Sequence, residues 1–232
     1  MGSIYLIRHG QASFGAKNYD VLSPLGFRQA AALGDYFAQL DLRFDRCISG
    51  ELQRQQDTAQ ATLERMASQP EVEVDPAFNE FLADEVIRAH LDDLLRIEPN
   101  ALQILQNAAD HRAEFQRLFS QVIQRWVSGE HEKEGLGSWQ SFIERVEGGL
   151  NRLLEQAGPK DRVAVFTSGG TITALLQLII GVQPIKAFEL NWQIVNTSLS
   201  QLKFRDREVS LASFNNHVHL ELLKNPELIT WR

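Results

Sequence analysis

Residues 4–13 read IYLIRHGQAS, an unbroken apolar run that stops on Arg8, His9 and Gly10. A short continuous run of this kind fits a strand buried on both faces of a parallel sheet. Such sheets gather ligands outside the carboxyl ends of their strands. This strand therefore carries a guanidinium and an imidazole to the edge where ligands bind.

Working outward, Ser23 is a natural N-cap and Pro24 suits the first helical position, so a helix opens there and turns Ala30, Ala31, Leu33, Tyr36, Phe37 and Leu40 towards a core. A second strand is expected at Arg46–Ser49, a helix near Glu51–Met66, and a third strand in the alternation EVEVDP at 71–76. Strand, helix, strand, helix, strand is the rhythm of a parallel sheet. It breaks between Ala83 and Gln156, where Phe115, Leu118, Phe119, Val122, Ile123 and Trp126 recur at helical spacing; this stretch reads as helices inserted into one domain spanning 1–232. Within it, GEHEKEGLGS at 129–138 reads as an exposed loop. The sheet resumes with RVAVFT at 162–167, followed by Ser168, Gly169, Gly170 and the helix TITALLQLII. Residues 194–204 and 208–214, separated by the turn RDRE, read as a β-hairpin.

Composition narrows the function. A net charge of −7 over 232 residues argues against a nucleic-acid or anionic-membrane surface, while a local cationic pocket built from chosen arginines remains open. No apolar run approaches the roughly 20 residues of a membrane helix. The single cysteine, Cys47, excludes an internal disulfide and a thiolate metal cluster; in RFDRCISG it reads as a core residue, and it fits a reducing compartment. No signal-peptide pattern is visible, and Gly2 lacks the hydroxyl residue of a myristoylation motif because position 6 is Leu6. A cytoplasmic protein is expected.

Arg8 and His9 after the first strand and Ser168-Gly169-Gly170 after the fourth can face one crevice, and the helix that follows points its free N–H groups to the same edge. Together they make a site for an anion. Taken singly, each has a plainer reading. A lone histidine after a strand is commonly a loop residue, and Ser-Gly-Gly is commonly an N-cap with a tight turn.

The series LIRHGQAS, LSPLGFRQAAALG, SGELQRQQDTA, FNEF, VAVFTSGGTITALL and NTSLSQL resembles, in matching order, the histidine phosphatase superfamily, the phosphoglycerate-mutase-like branch 1. The resemblance implies a three-layer α/β/α sandwich with a mostly parallel central sheet and an inserted helical region at about 83–156. It implies that His9 is a nucleophile that becomes phosphorylated; an imidazole suits this, since its neutral form is populated near neutral pH and attacks without first losing a proton. Arg8 and Arg54 would grip the phosphoryl oxygens through paired donors. Arg54 at a helix start is poorly placed against the dipole, which favours an anionic ligand nearby. Glu80, between two phenylalanines in FNEF, would be the general acid, its pKa raised by desolvation; otherwise it begins a solvated loop. Gln11 and Ser13 either hydrogen-bond substrate or shape the loop.

One residue departs from the pattern. The family's fourth strand ends in a histidine before Gly-Gly, and this chain has Ser168. A hydroxyl still donates one hydrogen bond, with Thr167 and the amides of Gly169 and Gly170 nearby. Losing a charged donor costs roughly 1.5–3 kcal/mol, about ten- to a hundredfold in rate. The expected activity is phosphomonoester hydrolysis through a phosphohistidine, slowed by Ser168, on a small phosphorylated substrate. The rival is a phosphate-binding or scaffolding protein that has lost efficient catalysis. A mutase is disfavoured, because Gly15 stands where the family's glycolytic mutases carry an asparagine. Neither cofactor nor metal is implied, since arginines supply the positive charge. His217 and His219 could share a face of an extended segment, with structural hydrogen bonding preferred over metal binding for want of a third ligand. Nothing singles out His90, His111 or His131. Trp139, Trp192 and Trp231 serve a core or a homodimer interface equally well.

Overall fold

The apolar run at the start of the chain becomes β1 (Gly2–Arg8). The computed structural model describes residues 1–13, 20–107 and 110–231, excepting the side chain of Arg112. After β1 come α1 (Pro24–Gln39), β2 (Arg46–Ser49), α2 (Gln53–Leu63) and β3 (Val72–Val74). The inserted stretch holds α3 (Ala83–Ala89), α4 (Leu91–Ile97), α5 (Ala101–Gln106) and α6 (Arg112–Ser128), and α7 (Trp139–Gln156) leads out of it. The chain continues through β4 (Arg162–Thr167), α8 (Gly169–Ile180), α9 (Pro184–Asn191), β5 (Leu199–Arg205), β6 (Glu208–Asn216) and the short α10 (Val218–Glu221).

Among the described residues these strands form one mixed sheet in the order β3-β2-β4-β1-β5-β6. The pairs among β1–β4 are parallel, and β1·β5 and β5·β6 are antiparallel. β1 is central because its side chains, Ile4, Leu6 and Ile7, tolerate no water on either face. On one face Tyr5, Ile7, Cys47, Ala164 and Phe166 pack with Leu33 and Phe37 of α1 and Ala59 and Leu63 of α2. α8 lies against β1 and β6. Helix α1 starts as its sequence dictates: Ser23 accepts from Gly26 N–H at 3.0 Å and Pro24 holds the first position. Gly10 and Gly26 let the loop after β1 lie directly on that helix, where a Cβ on Gly10 would sit 2.6 Å from the Gly26 carbonyl.

The chain divides into two compact units, Met1–Glu80 with Arg145–Arg232, and Phe81–Glu144. The first holds the sheet. The second is helical, with Leu118, Val122, Ile123 and Trp126 of α6 buried as their spacing requires, and Phe81 packing on Trp126 with ring centroids 4.9 Å apart. His90 is buried there beside Asp93, and GEHEKEGLGS forms the connection between α6 and α7.

Two expectations need correction. The hairpin strand begins at Leu199 and not at Ile194, because Thr197 takes a left-handed backbone (φ 61°), closed to extended structure, and residues 194–198 turn beneath the loop after β1. Likewise His217 and His219 do not lie on an extended segment, since Val218–Glu221 is a helical turn.

Candidate active site at the carboxyl edge of the sheet

Parallel pairing sets Arg8 beside Thr167, so the next residues, His9 and Ser168, leave the sheet side by side. The His9 amide donates to the Thr167 carbonyl at 2.8 Å, which fixes that juxtaposition. His9 is only 3% exposed. Its Nδ1 lies 2.7 Å from the Gly10 carbonyl, and Arg54 Nε donates to its Nε2 at 3.2 Å. A carbonyl only accepts and a guanidinium only donates, so Nδ1 carries the proton and Nε2 the lone pair. Burial, reinforced by the charges of Arg54 and then Arg8, holds the imidazole well below its usual pKa, outweighing the Gly10 carbonyl. His9 is thus a neutral imidazole with its lone-pair nitrogen facing a cation.

Arg54 is held from its other side by Asp20, whose Oδ1 accepts from Nη1 at 2.7 Å. Asp20 also accepts from the Gln53 amide at 2.9 Å at the start of α2. The anion that compensates a cation at this helix end is therefore a side chain of the protein, so the position of Arg54 does not by itself demand a ligand. Arg8 donates through Nη1 to the Ile194 carbonyl. Its Nε lies 3.8 Å from where a Cβ on Gly169 would stand, an ordinary contact, whereas that Cβ would sit 2.4 Å from Asn191 Oδ1, so the glycine at this position makes room for Asn191.

Glu80 reaches the same edge through the start of α8. Its Oε2 accepts from the Gly170 amide at 3.0 Å, at the N-terminus of α8. Arg145 donates to the Pro76 and Asn79 carbonyls at 3.1 and 3.0 Å, bracing the segment that carries Glu80. Burial lowers the pKa of Arg145 while the charge of Glu80 works the other way. Ser168, though it occupies the N-cap position of α8, does not cap it. Its hydroxyl accepts from Gln55 Nε2 at 2.8 Å. Gln11 turns its Oε1 to the Ser23 hydroxyl at 2.8 Å, and its amide donates to Gln29, which favours loop shaping for that side chain.

A profile of the histidine phosphatase superfamily (branch 1) matches residues 4–217. The chain belongs to branch 1 of the histidine phosphatase superfamily. Among solved structures it is similar to a phosphoserine phosphatase mutant from Entamoeba histolytica in complex with phosphoserine, at 21% identity and TM-score 0.66, covering 95% of this chain and 100% of that one. It is similar also to phosphoglycerate mutase from Bacillus anthracis str. Sterne, at 17% identity and TM-score 0.65, covering 97% of each chain. A third is a putative alpha-ribazole-5'-P phosphatase from Escherichia coli str. K-12 substr. MG1655, at 23% identity and TM-score 0.64, covering 93% of this chain and 97% of that one. At these identities the likeness is one of fold. No curated protein matches the sequence.

In this histidine phosphatase superfamily member the structure brings Arg8, His9, Arg54, Glu80, Ser168 and Gly169 to one sheet edge. Gly15, whose identity bears on the mutase reading, lies outside the described residues. Sequence reasoning missed Asp20, Gln55, Arg145 and Asn196. Asn196 donates to the His9 carbonyl at 3.0 Å from within NTSLSQL, so the motif marked the place without revealing the contact. His219 is a buried structural residue, its Nε2 3.0 Å from the Thr197 hydroxyl, with burial pushing its pKa down to about 3. Among the described residues no group of three His, Cys, Asp or Glu side chains is placed to hold a metal. Among the described residues no helix is long and apolar enough to cross a membrane. A cavity of about 220 Å³ lined by Arg46, Glu73, Asp75 and Arg152 lies apart from His9, and both of its guanidiniums are paired with its carboxylates.

Proposed function

We propose that the protein is a cytoplasmic phosphomonoester hydrolase acting through a phosphohistidine on His9. The observation that carries the reading is the Arg54 Nε contact on His9 Nε2, opposite the Gly10 carbonyl on Nδ1, which assigns the lone pair to Nε2 in a ring kept neutral by its surroundings. A phosphoryl dianion is a stronger acceptor than imidazole, so it draws the Arg54 donor to its own oxygens and uncovers Nε2. Arg8 supplies the second cation. Nε2 then attacks phosphorus in line with the ester bond, the P–O bond breaks, and Glu80 gives its proton to the leaving oxygen. Water attacks the phosphohistidine, returns a proton to Glu80, and releases inorganic phosphate while the lone pair goes back to Nε2. Ser168 offers the phosphoryl group a hydroxyl.

Ser168 also favours a second reading, a phosphate-binding protein of impaired catalysis, since the family resemblance implies a histidine there. The test is turnover of p-nitrophenyl phosphate by wild type and His9→Ala, with acid quenching to trap labelled phosphohistidine. Turnover and label that both vanish in His9→Ala support the hydrolase. Phosphate binding with no turnover and no label on a broad substrate panel supports the binder.

A further inference from the structure

We propose that Gln55 is a positioning residue that aims the Ser168 hydroxyl as a hydrogen-bond donor at the phosphoryl group on His9. The proposal rests on the hydrolase reading above and adds to it the element that makes a serine serviceable at this place.

Gln55 is fully buried one residue after Arg54 on α2, so the same turn of helix that holds His9 also reaches Ser168. Its Nε2 donates to two oxygens, the Phe78 carbonyl at 3.1 Å and the Ser168 hydroxyl at 2.8 Å. The carbonyl can only accept, so it fixes which end of the carboxamide faces it, and with that the identity of the atom facing Ser168. Both amide protons are thereby committed. Ser168 must accept one of them, which leaves its own proton to be donated elsewhere. Among the described residues the Ser168 hydroxyl donates no hydrogen bond, and Ser168 leaves the sheet beside His9.

Two further features show that this arrangement is maintained at a cost. Gln55 Oε1 is buried with no hydrogen-bond partner among the described residues. A carboxamide kept in place with an unsatisfied oxygen is held there by what its nitrogen does. Room for that oxygen comes from Gly50, where a Cβ would stand 2.0 Å away from it. Second, Ser168 sits at the N-cap of α8 yet makes no capping bond, the ordinary work of a serine there, and Glu80 takes the Gly170 amide instead. The hydroxyl is freed from the helix and held by Gln55.

The test is a double-mutant cycle with Gln55→Met, which keeps the bulk and removes the polarity, and Ser168→Ala, read by kcat, KM and orthovanadate affinity at a temperature where all variants are folded. Ser168→Ala is expected to lose about tenfold in kcat and Gln55→Met about threefold to tenfold, each with KM within about twofold, and the double variant to be no slower than Ser168→Ala alone. Vanadate affinity should follow the same non-additive pattern. Gln55→Glu is a second arm: its carboxyl has at most one proton, which the Phe78 carbonyl claims, so Ser168 turns its own proton towards the new acceptor and kcat falls below that of Gln55→Met. Gln55→Met with wild-type kcat and vanadate affinity, or losses in the two single variants that simply multiply, overturns the proposal while leaving His9 catalysis standing. A wild type that neither turns over substrate nor binds vanadate overturns both.

Discussion

Asp20 and Arg54 form an ion pair at 2.7 Å in which the arginine side chain is 8% exposed and the carboxylate 33%. The pair fixes the guanidinium whose Nε reaches His9, so a carboxylate that does not itself touch the imidazole sets what faces its Nε2.

Asp20→Asn keeps an acceptor for the Gln53 amide but removes the charge that anchors Arg54. The freed guanidinium samples other rotamers and must be reordered when a phosphoryl group arrives. KM for p-nitrophenyl phosphate is expected to rise about fivefold to tenfold with a smaller change in kcat, and the protein to lose roughly 1 kcal/mol of stability from the helix start. Steady-state kinetics and urea unfolding check both. Unchanged KM would show that Arg54 is held without Asp20.

Acid should destabilise the fold through its buried imidazoles. His9 and His219 are both depressed by burial, His219 to about 3. The unfolded chain binds these protons near pH 6.5 and the folded one does not, so stability is complete above that value and drains away as pH falls towards the native pKa values. Each such histidine contributes about 1.4 kcal/mol per pH unit over that window. In His219→Gln the stability measured by urea unfolding between about pH 6 and pH 4 should fall less steeply by that amount. A slope equal to wild type would show that His219 is protonated in the native state. Nitrogen NMR of the His9 ring should report the Nδ1–H tautomer, still neutral at about pH 6.

Arg145 ties the Pro76 and Asn79 carbonyls together just before Glu80. Arg145→Met keeps the stem and removes the fork, leaving both carbonyls short of a donor in a half-buried place. A loss of about 1–3 kcal/mol is expected, with kcat falling about tenfold and KM little changed, because in the proposed mechanism Glu80 loses its aim while Arg8 and Arg54 keep theirs. Arg145→Lys, which keeps charge without the paired donors, should recover less than half of the lost free energy. Full recovery by lysine would assign the effect to charge alone.

How much of this was legible beforehand depended on the range of the contact. β1, β2 and β4, and α1 with its Ser23 and Pro24, are written in local patterns of apolar run and cap, and each forms where those patterns place it. The site's strand-end residues followed, because parallel strands deliver what comes next to a common edge. Asp20, Gln55 and Arg145 carry no local mark: a glutamine on a helix reads as solvated, and its partners Phe78 and Ser168 lie far along the chain. The stretch 194–198 departs from its local pattern for a related reason. Its β-prone composition is overridden by Thr197, held in a left-handed turn by a hydrogen bond from its amide N–H to the Arg8 carbonyl at 3.0 Å and by one from its hydroxyl to the Asn196 carbonyl.

The family resemblance suggests restoring a histidine at position 168, and the structure predicts that this alone fails. Ser168 is fully buried with its Oγ 2.8 Å from the Gln55 carboxamide, so an imidazole must enter space that Gln55 already fills. Overpacking of this kind costs about 1–3 kcal/mol and would push the ring off any useful rotamer. Gln55→Ala removes about as many heavy atoms as Ser168→His adds, and it removes them from the adjoining position. The single variant Ser168→His should therefore be less stable than wild type and no faster. The double variant Gln55→Ala/Ser168→His should regain stability and turn over p-nitrophenyl phosphate about tenfold or more faster than wild type, since a charged donor replaces a neutral one. Thermal unfolding and initial rates on the three proteins decide the matter. A Ser168→His variant as stable as wild type would show that the crevice has spare volume, and a double variant that folds well yet gains no rate would show that the hydroxyl held by Gln55 already does what a histidine would.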